Sequence, residues 1–124
     1  MSWLFIDSSQ AGQSRIGSLS ATSFSVRSIE GRSDRVVRTI LQQALSMNTK
    51  KILEGIVVVS GPGSFSAIRA GVVTANILAR IYRCPLKSVT VDEAKDPMHL
   101  QHVLDRLVPT DIVLPVYDAE PNIT

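Results

Sequence analysis

Along the chain, apolar positions fall into runs of two different periods. Trp3 to Asp7 is a short, mostly apolar run that ends in Asp-Ser-Ser-Gln-Ala-Gly-Gln, which predicts a strand feeding a turn. Ser14–Leu19 and Thr22–Ile29 alternate apolar and small polar residues and predict two more strands, antiparallel and serine-rich. From Asp34 to Met47 the period changes. Val36, Val37, Ile40, Leu41, Ala44 and Leu45 form one helical stripe, with Ser33 placed to cap it. Ile56–Val59 is an unbroken β-branched run, as expected of a strand buried on both faces. Gly61-Pro62-Gly63 ends it, and Ser64 is placed to cap a second helix from Phe65 to about Tyr82, which stops near Cys84-Pro85. Leu86–Val91 predicts a strand, His99–Leu107 a short helix and Ile112–Tyr117 a last strand. The order βββαβαβ(α)β combines an antiparallel meander with parallel crossovers. It predicts an α/β domain with a mixed sheet of about five strands over residues 1–117, and a tail over 118–124.

The 124 residues suit a single domain, and 44% apolar against 19% charged residues is ordinary globular usage. No apolar run is long enough for a membrane span. The N-terminus lacks the basic and apolar regions of a signal peptide, which leads to a cytoplasmic expectation. The single cysteine, Cys84, excludes an internal disulfide and a cysteine-based zinc site. The net charge of +2 hides an asymmetry. Residues 1–90 carry eleven Lys or Arg against four acids, and residues 91–124 carry two against seven. Aromatic residues are only 5% of the chain, which argues against base stacking, so the charge alone does not make the chain a nucleic-acid binder.

The glycine turn between a buried strand and a helix invites a phosphate reading, with Asp7, Ser8, Gly61 and Gly63 as candidate nucleotide contacts. The lysine of a P-loop is missing, however, and Pro62 removes an N–H donor. Ser64 lies outside a Gly-x-Ser-x-Gly elbow and reads as a helix cap rather than a nucleophile. His99 and His102, spaced i, i+3, read as part of a solvated helix. No catalytic residue, metal or cofactor is assigned. In the second helix Ala67, Gly71 and Ala75 recur at i, i+4, i+8, with Ala70 and Thr74 beside them, which permits close approach of another helix. Apolar and small residues cover most of that helix, so a partner is expected. Its contacts would be Arg35, Arg38, Thr39 and Gln42 from the first helix and Ala67, Ile68, Arg69, Ala70, Gly71 and Thr74 from the second. On this reading Gly71→Leu abolishes pairing and leaves most of the fold intact.

The run Gly61-Pro62-Gly63-Ser64-Phe65-Ser66-Ala67-Ile68-Arg69-Ala70-Gly71 resembles the signature of the TsaB (YeaZ) family. Leu4–Ser9 is similar to that family's first strand, Pro85–Val91 to its Pro-x-x-x-Val-Ser segment, and Val113–Ala119 to the strand that opens its second lobe. Ser66-Ala67 replaces the family's usual Thr-Gly, and Glu120-Pro121 follows Asp-Ala where an arginine is usual. The resemblance implies an actin-like (ASKHA, ribonuclease-H-like) N-terminal lobe. It implies an accessory rather than catalytic subunit, needed for threonylcarbamoyl transfer to the tRNA adenosine beside the anticodon, with tRNA contact indirect at most. The implied partner is the paralogous subunit TsaD, whose relatives bind metal through a His-x-x-x-His pair. A P-loop ATPase, TsaE, joins the same complex, and a homodimer is expected for the chain alone. The alternative is a small nucleotide-binding or hydrolytic domain built on the Gly61–Ser64 turn and Asp7.

Overall fold

The computed structural model describes residues 1–117. Its elements follow the order β1 (Ser2–Gln10), β2 (Gln13–Leu19), β3 (Phe24–Glu30), α1 (Ser33–Thr49), β4 (Leu53–Gly61), α2 (Phe65–Tyr82), β5 (Leu86–Thr90) and α3 (Pro97–Val103), closed by a 3-10 turn at Leu104–Arg106. The sheet order is β3-β2-β1-β4-β5. β1–β2 and β2–β3 pair antiparallel, while β1–β4 and β4–β5 pair parallel, so the sheet is mixed.

The chain's two apolar periods meet on this sheet. Leu4, Ile6, Ile16, Ile56 and Val58 point to one face, where Val36, Ile40, Ala44 and Met47 of α1 and Ile68, Val72, Ala75 and Leu78 of α2 cover them. Trp3, Phe5, Val57, Val59 and Val89 point to the other and pack under Leu100 of α3 and Leu104 of the turn. The neighbouring inner strands β1 and β4 are therefore apolar on both faces, as a sheet clad by helices on both sides requires. On the α3 face Lys87 is buried. Its Nζ donates to the Leu104 carbonyl at 2.8 Å and lies 4.6 Å from the centre of the Trp3 ring, which pins the 3-10 turn to the sheet.

The sixth expected strand, Ile112–Tyr117, does not form a ladder. Only isolated bridges occur in this region, Leu86 with Thr110 and Gly63 with Tyr117. Backbone bonds of Val116 with Ser60 and Gly63, and one side chain at Val113, hold the segment instead. Asn76 Nδ2 donates to the Val113 carbonyl at 2.9 Å, and Asn76 Oδ1 accepts from the Val113 N–H at 2.8 Å. The expected tail at 118–124, with Glu120-Pro121, lies outside the described residues.

Of the two expected serine caps, Ser64 stands at the cap of α2, whereas Ser33 is the first residue of α1, behind Arg32 at its cap; neither helix has a side-chain cap bond. α3 does have one, because Asp96 accepts from the Met98 N–H at 3.0 Å ahead of Pro97. Among the described residues no helix is long and apolar enough to cross a membrane.

Candidate functional site

At the C-terminal end of β1 the chain places Asp7, Ser8 and Ser9 beside the Gly61–Ser64 turn. Antiparallel register sets Asp7 directly opposite Arg15, and the two side chains pair. Arg15 Nε and Nη2 donate to Asp7 Oδ2 at 3.1 and 2.8 Å, while the N–H and hydroxyl of Ser9 donate to Oδ1 at 3.0 and 2.6 Å. Arg15 Nη2 also donates to the Ala94 carbonyl at 2.8 Å. Both oxygens of Asp7 are thus engaged inside the protein. Among the described residues no three His, Cys, Asp or Glu side chains converge.

The glycine turn is likewise consumed internally. The N–H of Gly63 donates to the Val116 carbonyl at 3.1 Å and that of Ser64 to the Ser9 carbonyl at 3.0 Å. A Cβ on Gly61, which sits at φ 127°, would collide with the Val116 carbonyl oxygen. The turn serves strand, helix and exit segment rather than a phosphate. Ser8 points inward under Gly71, and its buried hydroxyl has no hydrogen-bond partner among the described residues. The four candidate nucleotide contacts therefore do not form an open cradle.

Asp7 carries a structural prediction. Asp7→Ala removes four charge-assisted or buried hydrogen bonds and leaves a partly buried guanidinium, and is expected to cost about 2–3 kcal/mol. A fall in the urea midpoint with an unchanged m-value checks it.

The residues expected at a partner interface divide into two groups. Ile68 and Gly71 lie inside, Ile68 in the core and Gly71 against Ser8 and Ile6 of β1, so neither reaches a partner. Ala67 and Ala70 line a groove with Val36 of α1, and buried Thr74 donates to the Ala70 carbonyl at 2.7 Å. The small stripe therefore provides close packing of α2 on the chain's own sheet and on α1. Thr39 is half-buried and donates to the Arg35 carbonyl at 2.9 Å, while Arg35, Arg38, Gln42 and Arg69 are exposed.

What the helices leave uncovered is an apolar stripe. Leu41 and Leu45 of α1 are 45% and 59% exposed, and Val73, Ile77 and Ile81 of α2 are 47%, 52% and 63% exposed. At its upper end Val37, Phe65, Ala70 and Val73 line a shallow depression of about 340 Å³ between the helices. Arg69 stacks over the Phe65 ring there, 5.9 Å from its centre. The signal was present in the sequence as two strict four-residue repeats, 37-41-45 and 65-69-73-77-81, flanking the core stripe.

Cys84, just beyond α2, is half-buried, and burial raises its thiol pKa above the ordinary value. A raised folded value means that the protonated thiol is favoured, so any stability contribution is present at neutral pH and is lost as the solution becomes alkaline. Reaction with a disulfide reagent is expected to be slower than that of a free thiol at pH 7.5, with a rate midpoint displaced to higher pH, as a stopped-flow pH series would record.

Comparison with known proteins places this geometry among relatives. The family model described as TsaD, tRNA N6-adenosine threonylcarbamoyltransferase, matches residues 28–97. YeaZ from Pseudomonas aeruginosa is similar in structure, with a TM-score of 0.58 and 16% identity over 72% of this chain and 43% of that chain. A structure described as an uncharacterized protein with similarity to peptidase YEAZ, from the same organism, gives the same figures. The T. thermophilus RuvC structure, in complex with a Holliday junction substrate, is similar at a TM-score of 0.54 and 12% identity, over 100% of this chain and 84% of that one. At these identities the likeness is one of fold, the actin-like and ribonuclease-H-like α/β architecture. The chain spans less than half the length of the YeaZ structures it matches. No curated protein matches the sequence.

Proposed function

The chain belongs to the TsaD family, tRNA N6-adenosine threonylcarbamoyltransferase, and from this premise we propose that it is a cytoplasmic accessory subunit that docks on a TsaD-like partner. In this reading it supports threonylcarbamoyl transfer to the tRNA adenosine beside the anticodon and does not perform the transfer itself. The YeaZ-like architecture supports that assignment. So does the engagement of Asp7 by Arg15 and Ser9, which leaves its carboxylate no free oxygen for a ligand.

The observation that carries the proposal is the uncovered apolar face of α1 and α2. Leu41, Leu45, Val73, Ile77 and Ile81 lie on two helices in direct contact, each residue at least 45% exposed. An apolar surface of this extent is uncommon on a monomer and marks an interaction site. Two helices from each side give a four-helix contact near the standard interface size of roughly 1,600 Å² in total. Arg38, Arg69 and Arg80 are exposed on the same two helices, so the partner's matching surface carries acidic groups. The same face pairs two copies when the partner is absent, and a TsaE-like P-loop ATPase joins the assembled complex at another surface.

Light scattering behind size exclusion, on this chain alone and mixed with the TsaD-like subunit of the same genome, tests the proposal. The expected result is a one-to-one complex that replaces the species formed by the chain alone. A mixture that elutes as two separate components would overturn it.

A further inference from the structure

The sheet has β3 at one edge and β5 at the other, and the chain treats them differently. On β5 the outward groups are engaged. The Leu86 carbonyl accepts from the Thr110 N–H at 2.8 Å and the Thr90 carbonyl from the Ala94 N–H at 3.1 Å. The Thr90 N–H donates to Glu93 Oε1 at 2.9 Å. β3 has no such cover. At one end of its ladder with β2 the Ser20 N–H donates to the Ser23 carbonyl, and at the other the Gly31 N–H donates to the Gly12 carbonyl. Bonded pairs alternate along an antiparallel ladder, so those in between are Ser18–Ser25, Ile16–Arg27 and Ser14–Ile29. The N–H and carbonyl groups of Phe24, Val26, Ser28 and Glu30 therefore point away from the sheet, and they meet no partner among the described residues.

Proteins commonly shield such an edge with a proline, a bulge, a covering segment or a very short strand. β3 runs for 7 residues without proline and pairs with β2 without a register shift. Its side chains carry a second signal. Phe24 and Val26 share the α3 face with Leu19, where Phe24 is 48% exposed and Val26 is half-buried at the margin of the core. On the helix face Arg27 is exposed and has no carboxylate within ion-pair distance among the described residues.

We propose that β3 pairs antiparallel with β3 of a second copy of this chain, about a two-fold axis at Val26, and joins the two sheets into one. Registers about an axis normal to the sheet centre on Val26, Arg27 or Ser28. Centring on Arg27 sets two guanidinium groups face to face, and centring on Ser28 sets Val26 against the partner's Glu30. Centring on Val26 avoids both conflicts. Val26 then faces the partner's Val26 and Phe24 lies diagonal to it, while Arg27 faces the partner's Ser25, whose hydroxyl accepts from it. Every backbone bond of this ladder uses groups that are free in the single chain, and the contact is of the closed two-fold kind. It involves no residue of the Leu41–Ile81 stripe, so it stands independently of docking on a TsaD-like partner.

The test uses the chain carrying Leu45→Asp and Ile77→Asp, which disables the helix face. Sedimentation equilibrium should show a reversible dimer. Amide hydrogen exchange over a concentration series should find Ser25, Arg27 and Ile29 protected throughout, and Phe24, Val26 and Ser28 protected only as the dimer forms. Val26→Lys should weaken dimerisation about tenfold or more, with Ser25, Arg27 and Ile29 still protected as the sign of an intact fold. With Cys84 replaced by serine, Val26→Cys should cross-link two copies on oxidation and Ser28→Cys should not. Residues directly opposite in a bonded pair have Cα atoms about 5.5 Å apart, within disulfide reach. A monomer at every concentration, or a dimer whose Phe24, Val26 and Ser28 amides still exchange freely, would overturn the proposal. So would cross-linking through position 28 instead of 26, or protection that arises only when the TsaD-like subunit is added.

Discussion

Replacing Gly71 by leucine is expected to unfold a large part of the chain rather than to release a partner from an intact lobe. A Cβ at this position would overlap the Ser8 hydroxyl and lie 3.0 Å from Ser8 Cβ and 3.2 Å from a methyl of Ile6, all on β1 at the centre of the sheet. Helix and strand are closer here than any side chain allows, and neither is a surface loop that can move aside. Overpacking of this kind costs about 1–3 kcal/mol for the alanine variant and more for leucine, against a total stability of roughly 5–15 kcal/mol for a domain. Ser8→Ala should act in the opposite direction. It removes a buried hydroxyl that has no partner among the described residues and should stabilise the chain by about 1 kcal/mol. Combined with Gly71→Ala, it should recover part of the loss. Chemical denaturation of Gly71→Ala, Ser8→Ala and the double variant separates these terms. A Gly71→Leu chain that melts like the parent would mean that α2 does not rest on β1 here.

The docking face answers to a different substitution. Leu45→Asp combined with Ile77→Asp places two carboxylates in the middle of the exposed stripe, at positions 59% and 52% exposed. Exposed positions tolerate such changes within about 0.5 kcal/mol, so the isolated chain should melt normally. In a complex the same carboxylates would be desolvated among apolar side chains. Loss of central contacts typically costs at least 2 kcal/mol each, so affinity for the TsaD-like subunit should fall about 100-fold or more. Calorimetric titration of parent and variant reads this directly. Undiminished binding by a well-folded double variant would remove the docking proposal while leaving the fold untouched.

The architecture was largely legible in the sequence because period alone carries it. The β-branched run of Ile56–Val59 and the helical stripe from Val36 to Leu45 leave few alternatives, and both form where the pattern places them. Which face of α2 looks inward was not legible in the same way. Ala67, Gly71 and Ala75 mark a side of close approach, but a small stripe is equally suited to a sheet below and to a partner outside. Only the position of β1 under Gly71 decides between them. The engagement of Asp7 was hidden for a related reason. A hairpin at Ala11–Gly12 pairs Gln10 with Gln13, and a register shift between Asp7 and Gln10 then sets residue 7 opposite residue 15; that register, rather than any local motif, turns a candidate ligand into one half of an ion pair. Ile112–Tyr117 failed as a strand because its apolar content was read without asking which neighbour would supply the hydrogen bonds.

At Val113 it is Asn76 that supplies them, and this gives α2 a second duty. Val116 is tied by backbone bonds to Ser60 and Gly63, whereas Val113 is held by one side-chain amide that both donates and accepts. Aspartate, almost identical in shape, has no donor for the Val113 carbonyl and would repel it, so this peg tolerates no change of charge. Ile77, the next residue along, faces the outside. Whatever presses on the outer side of α2 therefore bears on the same turn of helix that anchors Val113 on its other side.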